Sequence, residues 1–369
     1  MALSIEEILG FVPLTKAIET VKAGVPKLLP PAFYTRKPEF RVLGDKTRRI
    51  ETAGTRKNAR IVPYGAPGRQ VDHLPLSGRD VRLIHTEEKL MFSHELFMQL
   101  REYENYTVMQ KVSEEARRQV TAMATRQDNL LTSAVHVMLA TGKLYFDADC
   151  SLLATSSGAD LTIDYGVPAN NLNQANGAID ASWALATTNI PGQLKTIRQR
   201  ARQTTGFPLK YALYGKNVMS HMLRNDFVKN HIVSLGGADR AKSFLDTGEL
   251  PSKLFDFEWV PMNETFFDTE AGNVTEIWGD DTLVLTPDPN DVNVYGIYEG
   301  STPVPTKFDL SGDLMGQWAN WDHKSGAYGY GFPQGPWNGQ PLGLFGVYGD
   351  TFLPSLHNPS AYYILDVTP

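Results

Sequence analysis

Residues 107–141 read TVMQKVSEEARRQVTAMATRQDNLLTSAVHVMLAT. Within them Met109, Val112, Ala116, Val120, Met123, Leu130, Ala134 and Met138 recur mostly at three- and four-residue steps, the spacing that lines one face of an α-helix. Gln127 interrupts that stripe, and Glu114, Glu115, Arg117, Arg118, Arg126 and Asp128 occupy much of the remaining circumference. Gly142 follows as a stop signal, because a glycine in the left-handed conformation closes helix C-termini. A helix of this extent is about 50 Å long, roughly three times the mean for globular proteins. It is a beam, and the organisation of the chain follows from what lies on either side of it.

On the N-terminal side, Ser93 to Tyr103 reads as a shorter helix with the apolar face Leu96, Phe97 and Leu100. Before it, Val42 to Leu83 is polar, basic and punctuated by Gly44, Gly54, Gly65, Gly68 and Gly78, with β-capable patches such as Arg60-Ile61-Val62. So little apolar material cannot bury a core of its own, and the segment reads as a long projecting β-hairpin. Residues 1–40 carry short amphipathic pieces broken at Pro26, Pro30 and Pro31. They read as an extended arm, ordered only where it lies on something else.

On the C-terminal side, Leu144-Tyr145-Phe146 and Leu161 to Tyr165 read as paired strands. A helix is expected from Gly192 to Gln203, a strand from Leu209 to Tyr214 and a helix from Asn217 to Asn230, an alternation typical of a mixed lobe. Strands are expected at Phe255–Val260, Glu264–Asp268, Asn273–Trp278 and Thr282–Thr286, with hairpin chemistry at residues 269–273. Trp318 to Tyr348 is rich in Gly and aromatics without a clear period, and Tyr362 to Val367 reads as a last strand.

The chain has 369 residues, 42% of them hydrophobic, and a net charge of −6. That total hides a segregation. Residues 36–82 hold 12 Lys/Arg against 5 Asp/Glu, whereas residues 246–369 hold 18 Asp/Glu against 3 Lys/Arg. Two segments of opposite sign can attract each other within one subunit or between copies. We take Arg48, Arg49, Arg56, Lys57 and Arg60 as candidate inter-subunit contacts on the basic side. No stretch approaches the roughly 20 apolar residues of a membrane-spanning helix, and the start lacks the features of a secretory signal, so assembly in the cytoplasm of the producing cell is expected. The single cysteine, Cys150, cannot form an internal disulfide.

Catalytic signatures are missing from the sequence. His94-Glu95 opens like a zinc-protease helix, but Met98 stands where the second ligand belongs. Neither a phosphate-binding loop nor a nucleophile elbow is present. Asp147, Asp149, Asp280 and Asp281 lack the ligand ladder of a cation site, and acidic neighbours disfavour a Cys150 thiolate. Trp318, Trp321, Trp337 and Tyr348 lie in a segment short of basic residues, which favours packing or subunit contact over nucleic-acid stacking. We expect no catalytic residue, no cofactor and no metal.

Several segments in order carry a resemblance: Ala59-Arg60-Ile61-Val62-Pro63-Tyr64-Gly65-Ala66-Pro67-Gly68, Glu88-Lys89-Leu90, Leu161-Thr162-Ile163-Asp164-Tyr165-Gly166, Trp183, Met222-Leu223-Arg224-Asn225 and Asn358-Pro359-Ser360-Ala361. Together with the order arm, basic hairpin, long helix, mixed lobe and closing β segment, the chain resembles tailed-phage major capsid proteins of the HK97-type fold, in particular the phage lambda major capsid protein E family. The segment from Trp318 to Tyr348 departs from that pattern in its Gly and aromatic content.

The resemblance implies an α+β fold with an N-terminal arm (1–41), an extended hairpin loop (42–85), a peripheral domain (86–168) whose spine helix spans 107–141, an axial domain (169–290) and a returning C-terminal β segment (291–369). It implies self-assembly into hexamers and pentamers of an icosahedral shell around double-stranded DNA, which the protein meets non-specifically. Scaffold, decoration and portal proteins are its implied partners, and the virion its location. Some shells of this fold crosslink themselves; Lys57 beside Asn58 would be the lysine concerned, and no such chemistry is expected here. An encapsulin-like nanocompartment shell shares the fold and stays open, as does a soluble α+β enzyme, which would need a pocket of convergent polar groups.

Overall fold

The computed structural model describes residues 27–43, 46–52, 76–92, 106–172, 179–234, 253–262, 265–267, 274–309, 317–325, 328–334 and 343–368. The long helix, α1, spans Tyr106–Thr141 as one continuous element. Its exposed positions, Arg118, Ala122, Arg126 and Asn129, follow the helical period, and Met123, Ala124 and Leu131 face inward. From Ala134 to Ala140 the helix is buried on every side. It ends as the sequence indicates: Gly142 has φ of +71°, and its N–H donates to the Met138 carbonyl at 2.8 Å. The side chains of Met109, Val112 and Val120, and the helix expected at Ser93–Tyr103, lie outside the described residues.

Before α1 come β1 (Arg41–Leu43), β2 (Lys46–Thr52), β3 (Leu76–Arg82) and β4 (Ile84–Phe92). After it follow β5 (Lys143–Phe146), β6 (Leu152–Leu153), β7 (Leu161–Asp164), α2 (Ile190–Thr204), β8 (Leu209–Tyr214) and α3 (Lys216–Arg224). The remainder is β: β9 (Lys253–Leu254), β10 (Phe257–Pro261), β11 (Thr265–Phe267), β12 (Val274–Glu276) and β13 (Thr282–Pro287). Then come β14 (Tyr295–Asp309), β15 (Gln317–Ser325), β16 (Tyr328–Gln334), β17 (Gly343–Leu356) and β18 (Tyr363–Asp366).

Two sheets dominate. The first has five strands in the order β18-β13-β8-β10-β9. Its side chains alternate between two cores, as a period of two requires. Tyr211, Leu213, Val284 and Ile364 join the core that holds the end of α1, whereas Ala212, Tyr214, Leu283, Leu285 and Leu365 join the core under α2 and α3. The second sheet runs β1-β14-β17-β16, with β15 added to β14 and β4 to β17. Here the described parts of the Gly- and aromatic-rich segment are strands: β16 pairs antiparallel with β17 from Tyr328–Gly349 to Gln334–Gly343, and β17 pairs with β4 from Ile84–Phe352 to Phe92–Leu344. The absence of a clear period was no sign of irregularity, because alternating glycines supply extended backbone without marking a face.

Two local expectations are corrected. The helix read as Asn217–Asn230 breaks at Asn225, whose backbone is extended (φ −74°, ψ 131°), and helical structure resumes at 226–234. Asn225 is fully buried; its Nδ2 donates to the Thr188 carbonyl at 2.8 Å, and its Oδ1 accepts from the Val228 N–H at 3.2 Å, capping the second helix. Asn225→Ala should therefore lower stability by about 1–3 kcal/mol, since a buried carbonyl and a cap both lose their partner. Asn225→Asp should fall between, keeping the cap and losing the donor; urea midpoints measure both. The strand read as Phe255–Val260 begins only at Phe257, because Phe255 and Asp256, at φ of +55° and +61°, form the two-residue turn between β9 and β10. Positive φ at both positions gives a tight hairpin the twist its strands need.

Candidate functional site

The polar side chains that the fold gathers lie where residues 27–43 cross α1, β14 and β17. After two short 3-10 turns, Pro31–Phe33 and Pro38–Phe40, the chain enters the second sheet as β1, parallel to β14. Leu29, Phe33 and Tyr34 are buried in the same core as α1. This part of the arm lies on its own subunit.

Charges fasten it there. Lys27 Nζ lies 3.0 Å from Asp128 Oδ1, and Asp128, read from the sequence as part of the outer circumference of α1, is only 4% exposed. The correction has a physical cause: an acid can be buried on a helix when a cation from another segment covers it. Gln127, the interruption in the apolar stripe, meets the Thr86 hydroxyl of β4, which also donates to the Asp350 carbonyl at 3.1 Å. Arg36 forms a two-pronged pair with Asp350, one contact at 2.9 Å, and reaches Glu299 at 3.4 Å; Arg41 reaches the other oxygen of Glu299 at 3.4 Å. Burial opposes the charge on Arg36, but Asp350 and then Glu299 outweigh it and raise its pKa above the ordinary value.

Deeper in the junction, His136 of α1 is fully buried. Its Nδ1 accepts from Trp278 Nε1–H at 3.0 Å, so the neutral tautomer carries its proton on Nε2, 2.9 Å from the Tyr34 hydroxyl. Burial pushes its pKa down to about 4. The unfolded chain would bind that proton near pH 6.5. Stability from this group is thus complete above pH 6.5 and is lost as pH falls toward 4, by on the order of 3 kcal/mol. His136→Gln, which keeps a donor and an acceptor but cannot titrate, should flatten the fall in urea midpoint between pH 6.5 and 4. An equal slope in both proteins would refute this.

Of the candidate contact residues, Arg48 and Arg49 lie on β2, in register with Asp80 and Arg79 of β3. Their side chains, and Arg56, Lys57 and Arg60 entirely, lie outside the described residues. What is visible is the root of the hairpin: β1 and β4 belong to the second sheet, and the β2–β3 stem springs from between them. Sequence reasoning missed Lys27, Arg36, His136, Glu299 and Asp350. Asp350 alone left a trace, as the one charge in an otherwise uncharged strand.

Among the described residues no three His, Cys, Asp or Glu gather as metal ligands, and no helix is long and apolar enough to cross a membrane. The Asp147 carboxylate accepts from the Ser151 N–H at 2.7 Å, and Asp281 lies 3.1 Å from His221, so both act in local structure. Of the segments that carried the resemblance, Ala59 to Gly68 lies outside the described residues, and others fall in regular structure. Glu88-Lys89-Leu90 lies in β4, Met222 to Asn225 ends α3, and Pro359–Ala361 forms the turn before β18.

The long helix, the hairpin stem rooted in the second sheet and the mixed lobe of helices and strands make an HK97-like capsid fold. A protein of Escherichia coli CFT073 described as a prophage capsid protein shares the fold, at 14% identity, with 98% of this chain and 99% of that one covered and a TM-score of 0.50. A phage-related protein of Bordetella bronchiseptica RB50 aligns at 11% identity over 97% of this chain and 98% of that one, with a TM-score of 0.47. No curated protein matches the sequence. The phage major capsid protein E family model matches residues 12–299, and the chain belongs to that family. It is a structural protein of a tailed-phage capsid and not an enzyme.

Proposed function

We propose that the chain assembles with copies of itself into hexamers and pentamers of an icosahedral shell around double-stranded DNA. Residues 42–85 form the loop that reaches over a neighbour, 86–168 a peripheral domain and 169–290 an axial domain around the five- and six-fold centres. Residues 291–369 return as β structure to that body. Within the arm of residues 1–41, 27–40 are anchored to their own body, so any reach to another subunit falls to residues 1–26. Scaffold, portal and decoration proteins are the further partners, contact with DNA is non-specific, and assembly takes place in the host cytoplasm.

The observation that supports this best is the hairpin stem. Its strands carry Lys46, Arg48, Arg49, Arg79 and Arg82 against Glu51 and Asp80, so the stem is basic and would be balanced by an acidic surface. The acidic half of a neighbouring copy is available for that. Electron microscopy of the purified full-length protein tests the reading, with rings, tubes or closed shells expected. A monomer at all concentrations, or shells that hold protein cargo in place of DNA when made in infected cells, would overturn it. The same particles should run as single subunits on a denaturing gel.

A further inference from the structure

We propose that the outer face of α2 binds the phosphate backbone of double-stranded DNA, which turns this side of the lobe of residues 169–290 toward the interior of the shell. The inference rests on the self-assembly reading above and deepens it, because it assigns residues to the non-specific DNA contact and a direction to the lobe.

One helical stripe builds the face. Ile190, Leu194, Ile197 and Ala201 are buried in the core under α2 and α3. That turns Lys195, Thr196, Gln199, Arg202 and Gln203 outward, all of them exposed and spaced by three and four residues, with Arg200 half-buried at the flank. Lys195 and Arg202 therefore lie about 10 Å apart along the axis.

Residues 181–225 hold seven Lys/Arg and no Asp or Glu, in a chain whose 41 acids outnumber its 35 cations. Some of the seven are already answered. Arg198 pairs with Asp256 and Lys210 with Asp288, each at 2.8 Å, so neither adds to an outward field. Lys195, Arg200 and Arg202 form no ion pair among the described residues, and these three carry the charge of the face.

The remaining side chains of the stripe identify the occupant. They are Thr and Gln, and none of the exposed large hydrophobic side chains among the described residues lies on α2. A protein partner would need an apolar or aromatic centre to desolvate, which this face lacks. Lys, Arg, Thr and Gln are side chains that reach phosphate and sugar oxygens. A duplex carries roughly one charge per 1.7 Å of its axis, so cations about 10 Å apart find phosphates in any register and no base sequence is read.

The test uses the full chain, with Lys195→Gln plus Arg200→Gln plus Arg202→Gln, and as a control Arg48→Glu plus Arg49→Glu. Gln keeps the helix propensity, and circular dichroism checks folding. Unassembled subunits are titrated with a fluorescent random-sequence duplex over a range of salt. The triple Gln variant should bind at least about tenfold more weakly at low salt, and its slope of log affinity against log salt should be shallower by about 2 to 3, since each phosphate contact contributes about 0.9. Equal affinity and slope would make the stripe a solvated face and overturn the proposal; so would a loss confined to the Arg48 and Arg49 control, which would move the contact to the hairpin. In intact shells, a lysine reagent too large to enter should leave Lys195 unlabelled until the shells are opened, read by peptide mapping. Labelling of Lys195 in intact shells would put α2 outside and overturn the assignment. A triple Gln variant that binds duplex as the wild type does yet forms no shells would make α2 a protein contact and overturn it too. A wild type that binds duplex through α2 but never assembles defeats the self-assembly reading and leaves the phosphate contact standing.

Discussion

Arg36→Ala should lower the stability of the isolated subunit by about 3–5 kcal/mol, the usual loss when one partner of a buried ion pair is removed. The reason lies in what remains. Asp350 is 1% exposed and Glu299 is 7% exposed, so two carboxylates would stay in low dielectric after losing the cation they share, with Arg41 still reaching Glu299. The unfolded state solvates both without difficulty. Arg36→Lys should recover part of the loss, because an ammonium keeps the charge but cannot match the two-pronged geometry with Asp350. Arg36→Met with Asp350→Asn should likewise be less damaging than Arg36→Ala, since it removes charges together. Urea unfolding at pH 7 measures all three. A midpoint for Arg36→Ala within error of wild type would show that the pair contributes nothing net. Because Arg36 holds β17 and β14 to the stretch that leads into β1, its loss should also loosen the root of the hairpin, seen as faster amide exchange in β1.

Arg48→Glu with Arg49→Glu should leave the subunit folded and abolish or strongly reduce shell formation. Within the stem the two changes oppose each other: Glu at 49 would face Arg79 favourably, and Glu at 48 would face Asp80 unfavourably. The subunit's own stability is thus nearly unchanged, and a projecting hairpin contributes little to its core. Between subunits both changes act in one direction, turning attraction to an acidic face into repulsion. One exposed pair is worth only about 0–1 kcal/mol and is screened by salt. Repeated around a closed lattice, the same term decides assembly. The expected result is low particle yield by sedimentation, with a normal circular dichroism spectrum and partial recovery at high salt. Normal shells at both low and high salt would show that these arginines form a solvated face.

The sequence by itself determined whatever depends on neighbours along the chain. The apolar period from 107 to 141 and Gly142 define α1 and its end, and the apolar strand Leu209–Tyr214 appears as written. The hairpin chemistry between Leu144 and Tyr165 gives β5 and β7, paired from Phe146–Leu161 to Lys143–Asp164. The order of these parts was enough to suggest the capsid family, which tolerates large sequence change because its signature is an arrangement. Tertiary structure decided the rest. It placed Asp128 inside by bringing Lys27 over it, joined Arg36 to Asp350 across most of the chain, and made β-sheet of the Gly- and aromatic-rich segment by laying β4 along β17. It also broke α3 at Asn225, where a side chain found a better partner in the loop at Thr188 than the next helical turn could offer. Periodicity reports which face of an element is apolar, because that preference is local and repeats. Which opposite charge or which strand edge will meet that face depends on how distant segments close upon one another, and no spacing within a segment records it.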